Sequence, residues 1–167
     1  AKPDDELAIA QQQGGLTRNF QGYSTRGECD IVSMGISAIS KIGDCYAQNY
    51  HDIPEYEKSI NSGTIPIFRG YKLDNDDLLR QYIITQLICH FTLEFSDVEE
   101  RYLIDFNEYF YNELQALRSM QNDGLLTIGM ERITISPAGR LLIRNICMVF
   151  DKYLRQSGVN QLFSKAI

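Results

Sequence analysis

The sequence predicts a mainly α-helical protein with a small β-hairpin, arranged in a winged-helix-like order of helices, hairpin and helix. Apolar residues recur at helical spacing through most of the chain after residue 74. Residues 125–128 and 132–136 are instead β-prone, and Gly129-Met130-Glu131 separates them. Two short β-prone segments joined by a glycine-containing gap of this length predict a hairpin.

Four helices are predicted in this second half. The first begins at a cap provided by Asp74 or Asn75, and a second, shorter helix opens with the capping-box sequence Ser96-Asp97-Val98-Glu99. Gly124 ends the third helix, and Pro137 starts the last. The inward faces are predicted at Leu78, Leu79, Tyr82, Ile83, Leu87 and Ile88, at Phe106, Tyr109, Phe110, Leu114, Leu117 and Met120, and at Leu141, Leu142, Ile146, Val149, Phe150 and Tyr153.

The first 70 residues contain shorter segments. Residues 1–13 are polar and compatible with a helix. The run from Ile31 to Ile39 is apolar and contains a glycine, which predicts a buried strand and loop. A short helix is predicted from about residue 54 to Ser62, and Thr64–Leu73 is predicted to be an extended connector.

Composition excludes several classes of partner. The 167 residues carry 16 Lys and Arg against 22 Asp and Glu, a net charge of −6, whereas nucleic acids and anionic membranes attract basic surfaces. No apolar run approaches the roughly 20 residues of a membrane-spanning helix, and no secretion signal opens the chain. We therefore predict a cytoplasmic protein without a nucleic-acid or membrane partner. Ala1 in place of an initiating Met suggests that residue 1 is not the natural beginning.

The cysteines and histidines do not predict a metal site. No two cysteines have the two- or three-residue gap that is typical of zinc or cluster ligands. The two histidines are predicted at the surface and at a helix end, and the cysteines are predicted to be buried or inert free thiols. These residues are Cys29, Cys45, Cys89 and Cys147, with His51 and His90.

Several short motifs, in a fixed order and spacing, carry a resemblance to a known family. They are Ala1-Lys2-Pro3-Asp4-Asp5-Glu6-Leu7, Asn19-Phe20-Gln21-Gly22-Tyr23-Ser24-Thr25, Met34-Gly35-Ile36-Ser37-Ala38-Ile39, Gly43-Asp44-Cys45-Tyr46-Ala47-Gln48-Asn49, Arg69-Gly70-Tyr71 and Gly139-Arg140-Leu141-Leu142-Ile143-Arg144-Asn145-Ile146-Cys147-Met148. Over essentially its whole length, the chain resembles the C-terminal portion of the oxygen-independent coproporphyrinogen III oxidases. These are radical S-adenosylmethionine enzymes of haem biosynthesis.

The resemblance implies a domain organisation. In that family an N-terminal, incomplete α/β barrel carries a CxxxCxxC motif, whose thiolates bind a 4Fe–4S cluster that in turn binds S-adenosylmethionine. This chain has no such motif. Residues 1–50 are therefore expected to be the end of the barrel domain, 51–73 a linker with a short helix, and 74–167 a helical C-terminal domain with a hairpin wing. The partner of the chain would be the N-terminal barrel domain.

The resemblance also implies a reaction and site residues. The family oxidatively decarboxylates two propionates of coproporphyrinogen III to vinyl groups, which gives protoporphyrinogen IX. Ile39 is implied to lie along one S-adenosylmethionine molecule, and Phe20 and Gln21 to contact a second. An aromatic ring and a branched aliphatic side chain suit an adenine plane, and a carboxamide can both donate and accept hydrogen bonds. No catalytic residue, metal ligand, bound cofactor or activity is expected for this chain by itself.

Arg140 and Arg144 are candidates for substrate binding. They are one turn apart on the last predicted helix and face the same way. A guanidinium can bind a carboxylate through two hydrogen bonds, and the porphyrinogen carries four carboxylates. Salt bridges to acidic neighbours are the alternative, and they are the more common role of such a pair.

Two other functions are weighed against the oxidase. The haem-chaperone branch of the same superfamily binds haem and lacks the oxidase activity, but the motifs at 20–23 and 35–39 follow the oxidase pattern. A winged-helix module that binds nucleic acid is disfavoured by the acidic charge. Without the barrel domain, residues 1–70 are expected to be partly irregular or repacked, and the chain to self-associate.

Overall fold

A computed structural model of the chain describes residue 2 and residues 4–156, the last two without their side chains. The chain divides into two compact units. The first contains the residues up to Thr25 and those from Leu79 onward, and the second contains residues 26–78. In chain order the elements are α1 (Glu6–Gln12), β1 (Thr17–Asn19), β2 (Gly22–Ser24), β3 (Ile39–Ile42), β4 (Cys45–Asn49), α2 (Ile53–Asn61), β5 (Ile67–Lys72), α3 (Asn75–His90), β6 (Thr92–Glu94), α4 (Phe95–Tyr102), α5 (Phe106–Tyr109), α6 (Tyr111–Asn122), β7 (Leu126–Ile128), β8 (Arg132–Ile135), α7 (Pro137–Leu141), α8 (Ile143–Met148) and α9 (Lys152–Gln156).

The first unit is built around an apolar core to which α3 contributes more buried side chains than any other described element. Its centre is aromatic: the ring centroid of Phe106 lies 4.2 Å from that of Phe95 and 5.1 Å from that of Phe110. Phe150 closes the row, with its centroid 5.6 Å from Phe110. Because the rings are fully buried and in contact, this row ties the last helices to the middle of the domain.

One buried ion pair accompanies this core. A nitrogen of the Arg80 guanidinium lies 3.0 Å from a carboxylate oxygen of Glu113, and it also donates a hydrogen bond of 3.0 Å to the Phe150 carbonyl. The guanidinium carbon lies 5.2 Å from the ring centroid of Phe110. The buried guanidinium and the buried carboxylate thus both have hydrogen-bond partners, which is the condition under which a buried ion pair is tolerated.

The predicted hairpin is confirmed, and a third strand extends it. Strands β7 and β8 pair antiparallel with Leu126 opposite Ile135, and β6 pairs with the other edge of β8. The sequence around Thr92–Glu94 gave no separate signal because the segment is three residues long and runs directly into α4.

The second unit is a three-stranded antiparallel sheet, in the order β3-β4-β5, together with α2. Ile39 pairs with Gln48, and Tyr46 pairs with Tyr71 on the next strand. The short helix predicted near residues 54–62 is confirmed, and the Asp52 carboxylate caps it by accepting from the Glu55 amide. The segment predicted as an extended connector is extended, and it supplies strand β5, whose consecutive residues pair with β4.

The observed fold is therefore a mixture of helices and small sheets, and no sheet of the described residues closes into a barrel. The prediction of a buried strand from Ile31 to Ile39 is wrong. Only Ile39 enters a strand, while Val32 is 73% and Met34 is 90% exposed. The backbone turns at Ser37, whose φ of 60° is not compatible with an extended strand.

Two helix predictions also require correction. Helix α4 begins at Phe95, so Ser96 lies inside it and does not act as a cap. Glu99, the other member of the predicted capping box, accepts from the amide of Phe106 instead. The last helix is divided into α7, α8 and α9, and Leu141, at the end of α7, is 87% exposed where an inward position was predicted.

The predicted ranges 1–50, 51–73 and 74–167 refer to parts of a larger enzyme, and they stay a prediction. No helix in the described part of the chain has the length and apolar character needed to cross a membrane.

Candidate functional site

Phe20 and Gln21 form the turn between β1 and β2. The side-chain oxygen of Asn19 accepts from the amides of Gln21 at 2.8 Å and Gly22 at 3.2 Å, which fixes the turn. Gly22 has a φ of +138°, a conformation that side-chain-bearing residues rarely adopt. Phe20 is 47% exposed and Gln21 is exposed, so the turn presents an aromatic ring and a carboxamide to a partner.

The hairpin that carries this turn is anchored at its base. Leu16 is buried in the core of the first unit, and the Thr17 hydroxyl donates to the Ser24 carbonyl at 2.9 Å. The Arg18 guanidinium carbon lies 5.2 Å from the ring centroid of Tyr23, on the opposite strand. The turn therefore extends from a well-held base, as a binding element must.

Ile39 lies in the second unit, at the start of β3. Its side chain is half-buried, and its carbonyl accepts from the Ser33 hydroxyl at 2.7 Å. The structure thus brings Phe20 and Gln21 together on one turn, whereas Ile39 belongs to the other compact unit.

The loop before Ile39 is held by hydrogen bonds that the sequence gave no reason to expect. The buried Asn49 donates its side-chain amide to the Gly35 carbonyl at 2.9 Å, and the Tyr56 hydroxyl accepts from the Gly35 amide at 3.1 Å. The Ser37 amide donates to the Tyr50 carbonyl at 2.8 Å. The loop is therefore fixed by polar contacts while Val32 and Met34 remain exposed.

Arg140 and Arg144 have different surroundings. The Arg140 guanidinium carbon lies 4.4 Å from the ring centroid of Phe91, and the side chain is exposed. Arg144 is exposed on α8. Within residues 4–156 neither guanidinium forms a salt bridge, so the acidic neighbours do not account for either residue.

The four cysteines are all free thiols, in two environments. Cys89 and Cys147 are buried, whereas Cys29 and Cys45 are exposed, and all four were expected to be buried or inert free thiols. Burial raises the pKa of Cys89 to about 11, against a smaller lowering effect of the Arg18 guanidinium. Burial likewise raises the pKa of Cys147 to about 12, with Cys89 adding to the rise and Arg18 opposing it. Nowhere in the described ranges do three His, Cys, Asp or Glu side chains converge as metal ligands.

Comparison with known proteins identifies relatives along the full chain. Residues 73–142 match the family described as the HemN C-terminal domain. All 167 residues align at 46% identity with the oxygen-independent coproporphyrinogen III oxidase of Escherichia coli and at 49% with that of Pseudomonas aeruginosa, and cover 36% of each relative. The protein of the same name from Synechocystis is 46% identical and is covered to 37%. The chain thus spans little more than a third of these relatives.

A solved structure agrees with these alignments. The structure described as "Coproporphyrinogen III oxidase (HemN) from Escherichia coli is a Radical SAM enzyme" superimposes with a TM-score of 0.88 at 46% identity, over 92% of this chain and 35% of that one. Along its whole length the chain is therefore similar to the C-terminal part of the oxygen-independent coproporphyrinogen III oxidases, and residues 73–142 match their C-terminal domain.

Proposed function

We propose that the chain is part of an enzyme that converts coproporphyrinogen III to protoporphyrinogen IX by oxidative decarboxylation of two propionate side chains. The observation that carries the proposal is identity of 46–49% along all 167 residues with relatives of one name. At this level of identity over a full alignment, both the fold and the residues that line a shared site are expected to correspond.

We propose a division of labour between this chain and the rest of the enzyme. The resemblance supports ligation of the 4Fe–4S cluster by the CxxxCxxC motif of the N-terminal domain. When bound, S-adenosylmethionine supplies the hydrogen-abstracting radical chemistry. This chain would supply walls of the cofactor site: the Phe20 ring and the Gln21 carboxamide from one turn, and the Ile39 side chain from β3.

The chemistry of these three residues fits that role. An exposed aromatic ring on a hydrogen-bonded turn can stack on an adenine with little loss of conformational freedom. Gln21 can read polar edges of the cofactor, and Ile39 can exclude water from its apolar face. A role of Arg144 in substrate binding stays a prediction.

The finer architecture is part of the same proposal. Residues 1–50 would complete the barrel domain, 51–73 would link it to 74–167, and the latter would form a winged-helix-like domain whose wing is the β7–β8 hairpin. The exposed Val32 and Met34 are suited to contact the N-terminal barrel domain and, in its absence, to promote self-association. The exposed free thiols Cys29 and Cys45 are compatible with the reducing cytoplasm.

The test uses the full-length protein, assayed anaerobically for vinyl product. Phe20→Ala and Ile39→Ala are expected to lower kcat/KM by roughly 10- to 100-fold, because each removes apolar contact with a bound cofactor. Tyr111→Ala and Ile42→Ala are the matched controls, since they truncate exposed side chains of the same kinds elsewhere. Equal losses in variants and controls would contradict the assignment, and turnover by the 167 residues alone would contradict the division of labour.

The two alternative functions are not favoured, because the relatives described above are named as oxidases. A haem titration of the full-length protein, together with the decarboxylation assay, distinguishes the haem chaperone from the oxidase. Tight haem binding without vinyl product would indicate a chaperone. Binding to random duplex DNA that weakens steeply with salt would indicate the nucleic-acid module.

A further inference from the structure

The Arg140 guanidinium is held in place by an aromatic ring. Its central carbon lies 4.4 Å from the ring centroid of Phe91, which is close enough for a cation–π contact. A guanidinium that rests its face on a ring keeps its N–H donors around the edge, where they can bind a planar anion through two hydrogen bonds. In the described part of the chain no carboxylate takes those donors in a salt bridge.

Phe91 adopts a backbone conformation that a bulky aromatic residue rarely takes. Its φ is +62°, in the left-handed region, and this conformation is unfavourable unless the surroundings impose it. Two backbone hydrogen bonds do so: the Phe91 amide donates to the Leu87 carbonyl at 3.1 Å, and the Ile135 amide donates to the Phe91 carbonyl at 2.8 Å. The end of α3 and strand β8 thus fix the ring under the guanidinium.

The close packing of Gly139, the residue before Arg140, also fixes the position of Arg140. Gly139 is buried in α7, where an added Cβ would collide with the Leu125 carbonyl and press on the Ile135 side chain. Only a glycine allows the helix to approach β7 and β8 so closely. The unfavourable backbone conformation of Phe91 and the close packing that requires Gly139 therefore both hold the exposed Arg140 in place.

Helix α1 and strand β1 reach the same end of α3. The Gln11 side chain donates to the Cys89 carbonyl at 2.8 Å, and Arg18 lies near enough to the Cys89 thiol to act on its ionisation. Cys89 precedes Phe91 by two residues. Gln11 and Arg18 therefore lie near Cys89, and Arg140 lies over Phe91, which directly follows α3. Cations are favoured at this carboxyl end of a helix.

We propose that Arg140, supported by Phe91, binds a propionate carboxylate of the porphyrinogen. This inference rests on the proposed function, since it names the part of the substrate that the enzyme would recognise here. Arg140 is a binding residue, and Phe91 is a positioning residue that acts through it.

The experiment compares full-length protein with its Arg140→Gln, Arg140→Lys and Phe91→Leu variants. Arg118→Gln is the control, because it removes the same charge from an exposed position on α6. Coproporphyrin III, a stable analogue with four carboxylates, is titrated by fluorescence, and its tetramethyl ester serves as the carboxylate-free probe. KM and kcat for coproporphyrinogen III are measured anaerobically, and S-adenosylmethionine cleavage in the absence of porphyrinogen reports on the cofactor site.

Arg140→Gln is expected to weaken coproporphyrin III binding and raise KM by about 10- to 100-fold, the range for a lost charge-assisted hydrogen-bonded pair. Binding of the tetramethyl ester, kcat and cofactor cleavage should change little. Arg140→Lys keeps the charge without the planar fork and should recover about half of the loss on a logarithmic scale. Phe91→Leu should lie between wild type and Arg140→Gln.

Two results would overturn the inference. One is an Arg140→Gln protein whose affinity for coproporphyrin III stays within about twofold of wild type. The other is an equal loss in Arg118→Gln, which would indicate a general charge effect. A wild-type protein that neither binds coproporphyrin III nor forms vinyl product would instead overturn the proposed function, so the two failures are distinguishable. If Arg140→Gln does not fold, Arg140→Lys supplies the same comparison.

Discussion

The two compact units differ in what they bury. Among its described residues the first buries 19 apolar side chains, from Leu16 and from Leu79 to Phe150. Residues 26–78, all of which the structure describes, bury Pro66 and the polar Asn49 and Asp77, but no larger apolar side chain. Burial of a large apolar side chain contributes roughly 1.5–3 kcal/mol, so hydrophobic stabilisation is concentrated in the first unit.

The second unit is held mainly by directional contacts. Its sheet hydrogen bonds, the Asp52 cap of α2 and the polar contacts of the loop at residues 32–38 fix the backbone, while apolar side chains remain outside. This arrangement is suited to a surface that another part of an enzyme covers. The first unit therefore concentrates the buried apolar side chains, whereas the second leaves most of its apolar side chains partly or fully exposed.

The largest expected effect comes from a matched pair of aromatic truncations. Phe106→Ala should lower the free energy of unfolding by about 3–5 kcal/mol, because the ring is fully buried against Phe95 and Phe110. Phe68→Ala, in which a half-exposed ring of the second unit is removed, should cost less than about 1 kcal/mol. Urea unfolding followed by circular dichroism measures both, and equal losses would remove the distinction between the units.

The buried ion pair gives the next largest effect. Arg80→Met removes the guanidinium that faces the buried Glu113 carboxylate and should cost about 3 kcal/mol. Lys58→Met breaks the exposed pair with Glu55 in the second unit and should change stability by less than about 0.5 kcal/mol.

The double variant Arg80→Met/Glu113→Leu tests whether the loss in Arg80→Met comes from the charge that remains on Glu113. It removes both charges, so it should recover much of the loss seen with Arg80→Met alone. A double variant that is less stable than Arg80→Met would show that the pair contributes net stability beyond mutual compensation.

The sequence predicted the parts of the fold that depend on local pattern. The hairpin at 126–135 and the helix at 53–61 follow from alternation, a glycine gap and an aspartate cap. The sequence could not show that the run ending at Ile39 stays exposed, because its composition is that of a buried strand. The conformation of this run depends on tertiary contacts with Asn49 and Tyr56, which are distant in sequence.

Some features of the candidate site could likewise be predicted from the sequence, and others could not. The resemblance supplied Phe20, Gln21 and Ile39, and the hydrogen-bonded turn around Phe20 depends on Asn19, which lies inside the quoted motif. Helical spacing suggested that Arg140 and Arg144 act alike. Their surroundings differ, because the helix is interrupted at Leu142 and the Arg140 guanidinium lies over the Phe91 ring.

Each unit contains two cysteines, which gives a chemical test of the comparison. Iodoacetamide at pH 8 should modify Cys29 and Cys45 at least ~100-fold faster than Cys89 and Cys147 in the native protein. Burial raises the pKa of Cys89 to about 11, so roughly one thiol in a thousand is ionised at that pH. Mass spectrometry of the digested protein measures the ratio, and labelling of all four at similar rates would indicate that the core opens readily.

The same pKa values predict how stability depends on pH. The folded state holds the Cys89 and Cys147 protons above the ordinary thiol value of 9.0, so the unfolded state loses them first as the pH rises. The corresponding stabilisation is complete below pH 9 and is lost as the pH approaches 11 and 12. Cys89→Ala should therefore flatten the fall in melting temperature between pH 9 and 11, whereas Cys45→Ala should leave it unchanged.

The prediction with the smallest expected effect tests whether the two units unfold together. Asp52→Ala removes the cap of α2 in the second unit, and Ser136→Ala removes the cap of α7 in the first. Each change should cost about 1 kcal/mol, which corresponds to roughly fivefold faster opening. If the units are separate, Asp52→Ala will speed hydrogen exchange in α2 and β3–β5 and leave the α6 amides unchanged. Faster exchange in α6 as well would show that the contact surface and the core form one cooperative unit.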